Sequence, residues 1–254
     1  MMVRGWRGGR AGGPVAHWPR ATAGALLSMT FVSGLVDAVV FLAIGHLFVA
    51  MVTGNIMFLG FTLAGAPGHS AAQLATAVTG FFVGAVVGAP PRRSPARPGP
   101  TDGAMRTDDA DDATWAARRP LALAAAAYAG LLVIGLVIAM VFDAEAGRMR
   151  YVMIVVLGLA MGMQNAAGRR LAMPDIPTNV LTTQLTMIAA GGWRTGELGR
   201  SARRRSAAPV VMFSGALVGA ATYRAGGVPV PLALASALAV VVALEVATGR
   251  VRPP

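Results

Sequence analysis

The chain has no cysteine among its 254 residues, which excludes disulfides and thiolate metal sites. It has no lysine either: all 22 cationic side chains are arginine. The three histidines, His17, His46 and His69, show no ligand spacing, so no metal and no cofactor is expected. Charged residues make up only 13% of the chain, against roughly 25% in soluble domains. Catalytic signatures are missing too, with no H-E-x-x-H, no G-x-S-x-G with a partner histidine and no G-x-x-x-x-G-K-[ST] phosphate loop. No catalytic residue is assigned, and ATP-driven transport and zinc proteolysis lose their basis.

What is present is apolar. Hydrophobic residues account for 55% of the chain and the mean hydropathy is +0.61. A hydrocarbon core about 30 Å thick takes about 20 apolar residues per helical crossing. Runs of that length lie at 22–44, 71–90, 120–142, 150–168, 207–225 and 229–248, with shorter runs at 50–66 and 178–191. They are continuous in Ala, Gly, Val and Leu rather than alternating, which disfavours a β-barrel. The fold class is an all-α polytopic membrane protein. Arg4, Arg7, Arg10 and Arg20 precede the first run, which is too long for a signal-peptide core and contains Asp37, so an uncleaved span is expected.

A net charge of +11 raises a nucleic-acid reading, but nearly all the arginines sit at membrane boundaries, where topology places them. With eight crossings they divide 13 to 9. With six, and 50–66 and 178–191 as re-entrant or partial helices, they divide 19 to 3. Loop arginine excess marks the cytoplasmic side, so six spans with both termini cytoplasmic are expected, eight being the alternative. The organisation is then a cytoplasmic Arg/Gly-rich tail (1–21), the first part of one half (22–90), a flexible cytoplasmic linker (91–119), the last helix of that half (120–142), a second half (150–248) and a C-tail (249–254). The arginines of 193–205 are placed against anionic lipid headgroups.

The halves echo each other. Gly34-x-x-Asp37-Ala38 has a counterpart in Gly162-x-x-Asn165-Ala166, and Thr53-Gly54-Asn55 has one in Thr182-Thr183-Gln184, with one inserted residue reconciling the two. Gly80, Gly84 and Gly88 recur at every fourth position, as do Gly215 and Gly219; with Gly158 and Gly162 they fit close helix packing. Three crossings per half would make this an inverted repeat, the layout of many secondary transporters.

The candidate site follows from the intramembrane polar residues. Asp37 sits near the middle of its apolar run, where a charge costs about 2.5–3.5 kcal/mol on insertion scales. Two readings stand: a proton- or cation-coupling carboxylate, or an acid that locks helices together. Thr53, Gly54 and Asn55, and Thr182, Thr183 and Gln184, place hydroxyl and amide groups in short apolar helices, either lining a solute cavity or satisfying a kinked backbone. Gln164 and Asn165 face the same alternatives. Arg169 and Arg170 read as topology anchors and Glu245 as a snorkelling side chain.

The run Gly34-Leu35-Val36-Asp37-Ala38, followed by Phe48-Val49-Ala50-Met51-Val52-Thr53-Gly54-Asn55 and then Gly162-Met163-Gln164-Asn165-Ala166, resembles the YoaK-like family of bacterial multi-pass inner-membrane proteins (domain of unknown function 1275). The likeness spans most of residues 28–248, with Asp37, Thr53, Gly54 and Asn55 on the family's motif. It implies a protein of the bacterial cytoplasmic membrane and brings no known substrate. The Arg/Gly-rich tail and the long linker depart from the family's compact pattern. The reading reached from the sequence is a secondary permease for a small solute, proton-coupled through Asp37; the alternative is a non-transporting scaffold or partner subunit. Oligomeric state is not legible in the sequence.

Overall fold

The computed structural model describes residues 20–89, 107–171 and 198–251, and among these it is entirely helical. Seven helices follow one another: α1 Arg20–Val39, α2 Val52–Leu63, α3 Ala71–Gly88, α4 Thr107–Val141, α5 Gly147–Leu171, α6 Leu198–Gly226 and α7 Pro229–Ala247. Five stretches are long and apolar enough to cross a membrane: Ala21–Gly45, α3, Arg119–Val141, Gly147–Arg169 and α7. Large apolar side chains such as Phe82, Val86 and Val87 on α3 and Phe213 and Leu217 on α6 face outward, the surface a helix presents to lipid rather than water. The molecule is a polytopic helical membrane protein.

Local sequence explains the boundaries. α1 widens into a π-helical turn over Val40–Gly45 and stops at His46, which adopts the left-handed conformation at φ 54°. The His46 Nδ1–H donates to the Phe41 carbonyl at 3.0 Å, satisfying an acceptor that the ending helix leaves open. Ser70 caps α3 by accepting from the Gln73 N–H at 3.5 Å. Proline opens α7 at its first turn, where its missing N–H is harmless. Helix α4 begins at Thr107 rather than at 120, so the last part of the segment read as flexible linker is helical. The short run at 178–191 lies outside the described residues.

Two buried clusters give the helix directions. One joins Ala25 and Leu26 at the start of α1 to Leu121 and Ala124 of α4, Ala167 and Leu171 at the end of α5, and Val242 and Val246 at the end of α7. The other reaches the opposite end, joining Ile44 and Leu47 to Leu74 near the start of α3, Met153 and Ile154 near the start of α5, and Val228 and Leu232 at the start of α7. Helices α1 and α4 therefore run one way, and α3, α5 and α7 the other. The chain leaves α1 and enters α3 at the same end, with α2 between them.

Glycines fix how the helices pair. A Cβ on Gly162 of α5 would lie 2.7 Å from the Ala85 nitrogen of α3, and one on Gly34 of α1 would lie 2.9 Å from the Ala216 nitrogen of α6. The reciprocal contacts match: Gly84 meets Leu159 as Gly215 meets Phe31, and Gly88 meets Met163 as Gly219 meets Leu35. Residue numbers rise together along each pair, so α3 is parallel to α5 and α1 to α6. Each half's first helix packs on the other half's glycine helix, and exchanging the halves reproduces the packing. The exchange carries residue 34 to 162 but 84 to 215, so three inserted residues, not one, relate the glycine helices.

Candidate functional site

The sequence from Gly34 to Asn55 folds as one unit around the connection between α1 and α2. Asp37, 4% exposed, accepts three backbone N–H bonds: its Oδ1 from Val49 at 2.7 Å and Ala50 at 2.8 Å, and its Oδ2 from Met51 at 3.0 Å. Three successive amides thus converge on one carboxylate just before α2 begins, a concave arrangement of donors suited to an anion. Asn55, fully buried, returns from the first turn of α2 to grip Phe48 on both sides. Its Oδ1 accepts from the Phe48 N–H at 2.9 Å and its Nδ2 donates to the Phe48 carbonyl. Gly54 is small because the Phe48 ring lies against it: a Cβ there would sit 3.1 Å from that ring.

An aromatic row extends this unit outward. Phe41 stacks on His46 and on Phe48, with centroids 5.4 and 5.2 Å apart, and Phe58 stacks on His69 at 4.4 Å. Since α2 touches Phe48 at its start and Phe58 reaches His69 from its middle, the helix is held at its start and its middle to the same end of the bundle. Its twelve residues rise only about 18 Å.

The remaining candidates separate. Thr53 is exposed on α2. Gln164, 6% exposed, spans from α5 to α1, where its Nε2 donates to the Met29 carbonyl at 2.8 Å and to Ser33 Oγ at 2.7 Å. Eight residues of α1, about 12 Å of helical rise, separate Met29 from Asp37. The Asp37–Asn55 unit and the Gln164 contact thus sit at different depths. Asn165 is partly buried. Thr182, Thr183 and Gln184 lie outside the described residues. Among the glycines, Gly84, Gly88, Gly162, Gly215 and Gly219 press on backbone, whereas Gly80 and Gly158 have first neighbours at 3.5 and 3.3 Å.

Several polar groups carry no motif and pass unnoticed in the sequence. Tyr128 on α4 and Ser236 on α7 are buried, and their hydroxyls, like Gln164 Oε1 and His69 Nδ1, have no hydrogen-bond partner. Gln73, Ser70, His46 and Arg150 gather at the end of the bundle where α1 stops. No cluster of His, Asp or Glu able to hold a metal occurs among the described residues.

The family described as a protein of unknown function, DUF1275, matches residues 25–244. The UPF0700 transmembrane protein YoaK of Bacillus subtilis (strain 168) is 27% identical over 169 residues, covering 66% of this chain and 65% of that protein. The chain thus spans just under two thirds of the length of that relative. No solved structure matches the fold.

Proposed function

The chain belongs to the DUF1275 family, and from that starting point we propose that it is a secondary permease for a small solute in the bacterial cytoplasmic membrane. Six crossings, α1 and α3 to α7, form two inverted halves, with α2 re-entrant and both termini cytoplasmic. The observation that carries this reading is the reciprocal glycine packing of two parallel helix pairs, α1 with α6 and α5 with α3, that run in opposite directions. Two such halves have no fixed inside or outside and can rock about their shared seams, as inverted-repeat transporters do.

Asp37 supplies the coupling. As a carboxylate it offers acceptors to Val49, Ala50 and Met51 together. A protonated acid converts one oxygen into a donor, so at least one of the three amides loses its acceptor and the entrance to α2 loosens. Proteoliposomes of the full chain, loaded with a pH-sensitive dye and offered pools of sugars, amino acids and small carboxylates, test this. Protein-dependent proton movement with one pool, lost in Asp37→Asn, is the expected result. Folded wild-type protein that moves no proton with any pool overturns it.

One observation favours a second reading, a non-transporting scaffold: all three Asp37 contacts are backbone amides of its own loop, a use that needs no solute. Under that reading Asp37→Asn lowers thermal stability in detergent while no flux exists to change.

A further inference from the structure

Where α1 stops and α3 and α5 begin, Ile44, Gly45, His46, Ser70, Gln73 and Arg150 line a cavity of about 250 Å³. Its chemistry is lopsided: one guanidinium, one imidazole, one hydroxyl and one amide line it, and no carboxylate does. Arg150 is positioned by the Glu145 backbone carbonyl, to which its Nε–H donates at 2.8 Å and its Nη2 also donates. That partner is neutral, so the charge is oriented without being cancelled. The Glu145 carboxylate itself faces the Tyr223 hydroxyl, 3.4 Å away.

Two features of this wall suit an anion. Arg150 occupies the first turn of α5, where a cation opposes the helix dipole. Gln73 is only 9% exposed, and it lines the cavity. A Cβ on Gly45 would fall 2.7 Å from its Oε1, so glycine there leaves room for the amide at the cavity wall. Ser70, the residue that caps α3, lines the same wall.

We infer that this cavity binds a small oxyanion, a carboxylate or phosphate, held by the Arg150 guanidinium, the Gln73 amide and Ser70 at the start of α3. Guanidinium is the group best matched to a two-oxygen anion, the start of a helix favours negative charge, and the volume suits a few heavy atoms. The inference rests on the cavity and not on the permease reading, because binding is measured without flux.

The probes are sodium phosphate and sodium acetate, titrated calorimetrically into the full chain in nanodiscs at constant ionic strength set with sodium chloride. One set of discs holds phosphatidylcholine alone and a second contains phosphatidylglycerol. Saturable binding of either anion is expected in the first set, at least tenfold weaker in Arg150→Gln and in the near-isosteric Gln73→Glu. Arg148→Gln, outside the cavity wall, is expected to bind as the wild type does. Binding that persists in phosphatidylglycerol identifies a free solute as the ligand. Binding abolished there, with phosphatidylglycerol retained on wild-type protein in native mass spectra but not on Arg150→Gln, identifies a lipid headgroup; both support an oxyanion site. Absence of saturable binding together with no Arg150-dependent lipid overturns the proposal, as does binding undiminished by Gln73→Glu, the variant that decides if Arg150→Gln does not fold.

Discussion

Gly80 and Gly84 lie one helical turn apart on α3 and read alike in the sequence, but the structure separates them. A Cβ on Gly84 would lie 2.8 Å from the Leu159 Cα, in a backbone that no rotamer change can move aside. A Cβ on Gly80 meets its first atom at 3.5 Å, ordinary contact. Overpacking costs up to about 3 kcal/mol, and exchanging glycine for alanine within a helix returns about 1 kcal/mol. Gly84→Ala is therefore expected to lose about 2 kcal/mol, and at about 2–4 °C per kcal/mol for a chain of this size its unfolding midpoint falls by about 4–8 °C. Gly80→Ala has no steric cost and is expected to rise by about 2–4 °C. Gly215→Ala, the counterpart across the halves, should fall as Gly84→Ala does, and Gly130→Ala, with nothing near its Cβ, serves as the control. The assay is size-exclusion chromatography of detergent-solubilised protein after heating for a fixed time, which reads an operational stability where unfolding is irreversible. Equal losses at Gly80 and Gly84, or a neutral Gly84→Ala, would refute the assignment of the α3–α5 seam to backbone contact.

The unit around Phe48 and the contact at Gln164 should differ in cost. Asn55→Leu strands the Phe48 N–H and carbonyl and is expected to lose about 3 kcal/mol; Gln164→Leu, whose Oε1 is already unpartnered, should lose about 1 kcal/mol or less. The reverse ranking in the same chromatographic assay contradicts the geometry. Topology is open to single-cysteine labelling in this cysteine-free chain: Ala66→Cys and Ala146→Cys should both react with an impermeant reagent added to intact cells, and Thr248→Cys should not. Protection of both Ala66→Cys and Ala146→Cys would show that 50–66 crosses and that the halves are not inverted.

Long apolar runs were enough to find the five helices long and apolar enough to cross a membrane, because a helix in lipid needs only length and hydropathy; the run at 207–225, in α6, is not among them. The pairing of helices was legible only in part. Four-residue glycine spacing marks a face that can approach another backbone, but it does not distinguish Gly80 from Gly84, because that difference depends on where α5 crosses α3. Asp37 was legible as an anomaly, since a charge in an apolar run demands a partner. Its partners were not, because backbone amides leave no trace in residue identity: Val49, Ala50 and Met51 look like apolar filler. The cavity at the end of α1 was invisible for the opposite reason. Its residues, His46, Ser70, Gln73 and Arg150, belong to three separate stretches and read singly as loop or boundary residues.

The two halves match in packing and differ in chemistry, and the difference is concentrated where a coupled carrier would need it. The exchange that superposes Gly34 on Gly162 sets Asp37 against Asn165, a carboxylate against a neutral amide. The amide cannot titrate, so of this matched pair only Asp37, beside the entrance to α2 at one end of the bundle, can respond to a proton. The cavity lined by Arg150 opens at that same end, because Gly45 and Gln73 meet there. An oxyanion bound at that cavity and a proton on Asp37 would therefore act on opposite sides of one short connection, residues 46–51, between the end of α1 and the start of α2. A rocking motion built on symmetric seams has no preferred direction by itself; an asymmetric charge at one end supplies one. If the two functions are linked in this way, phosphate or acetate binding should weaken in Asp37→Asn without any contact between Asp37 and the anion, and an unchanged affinity in that variant would separate them.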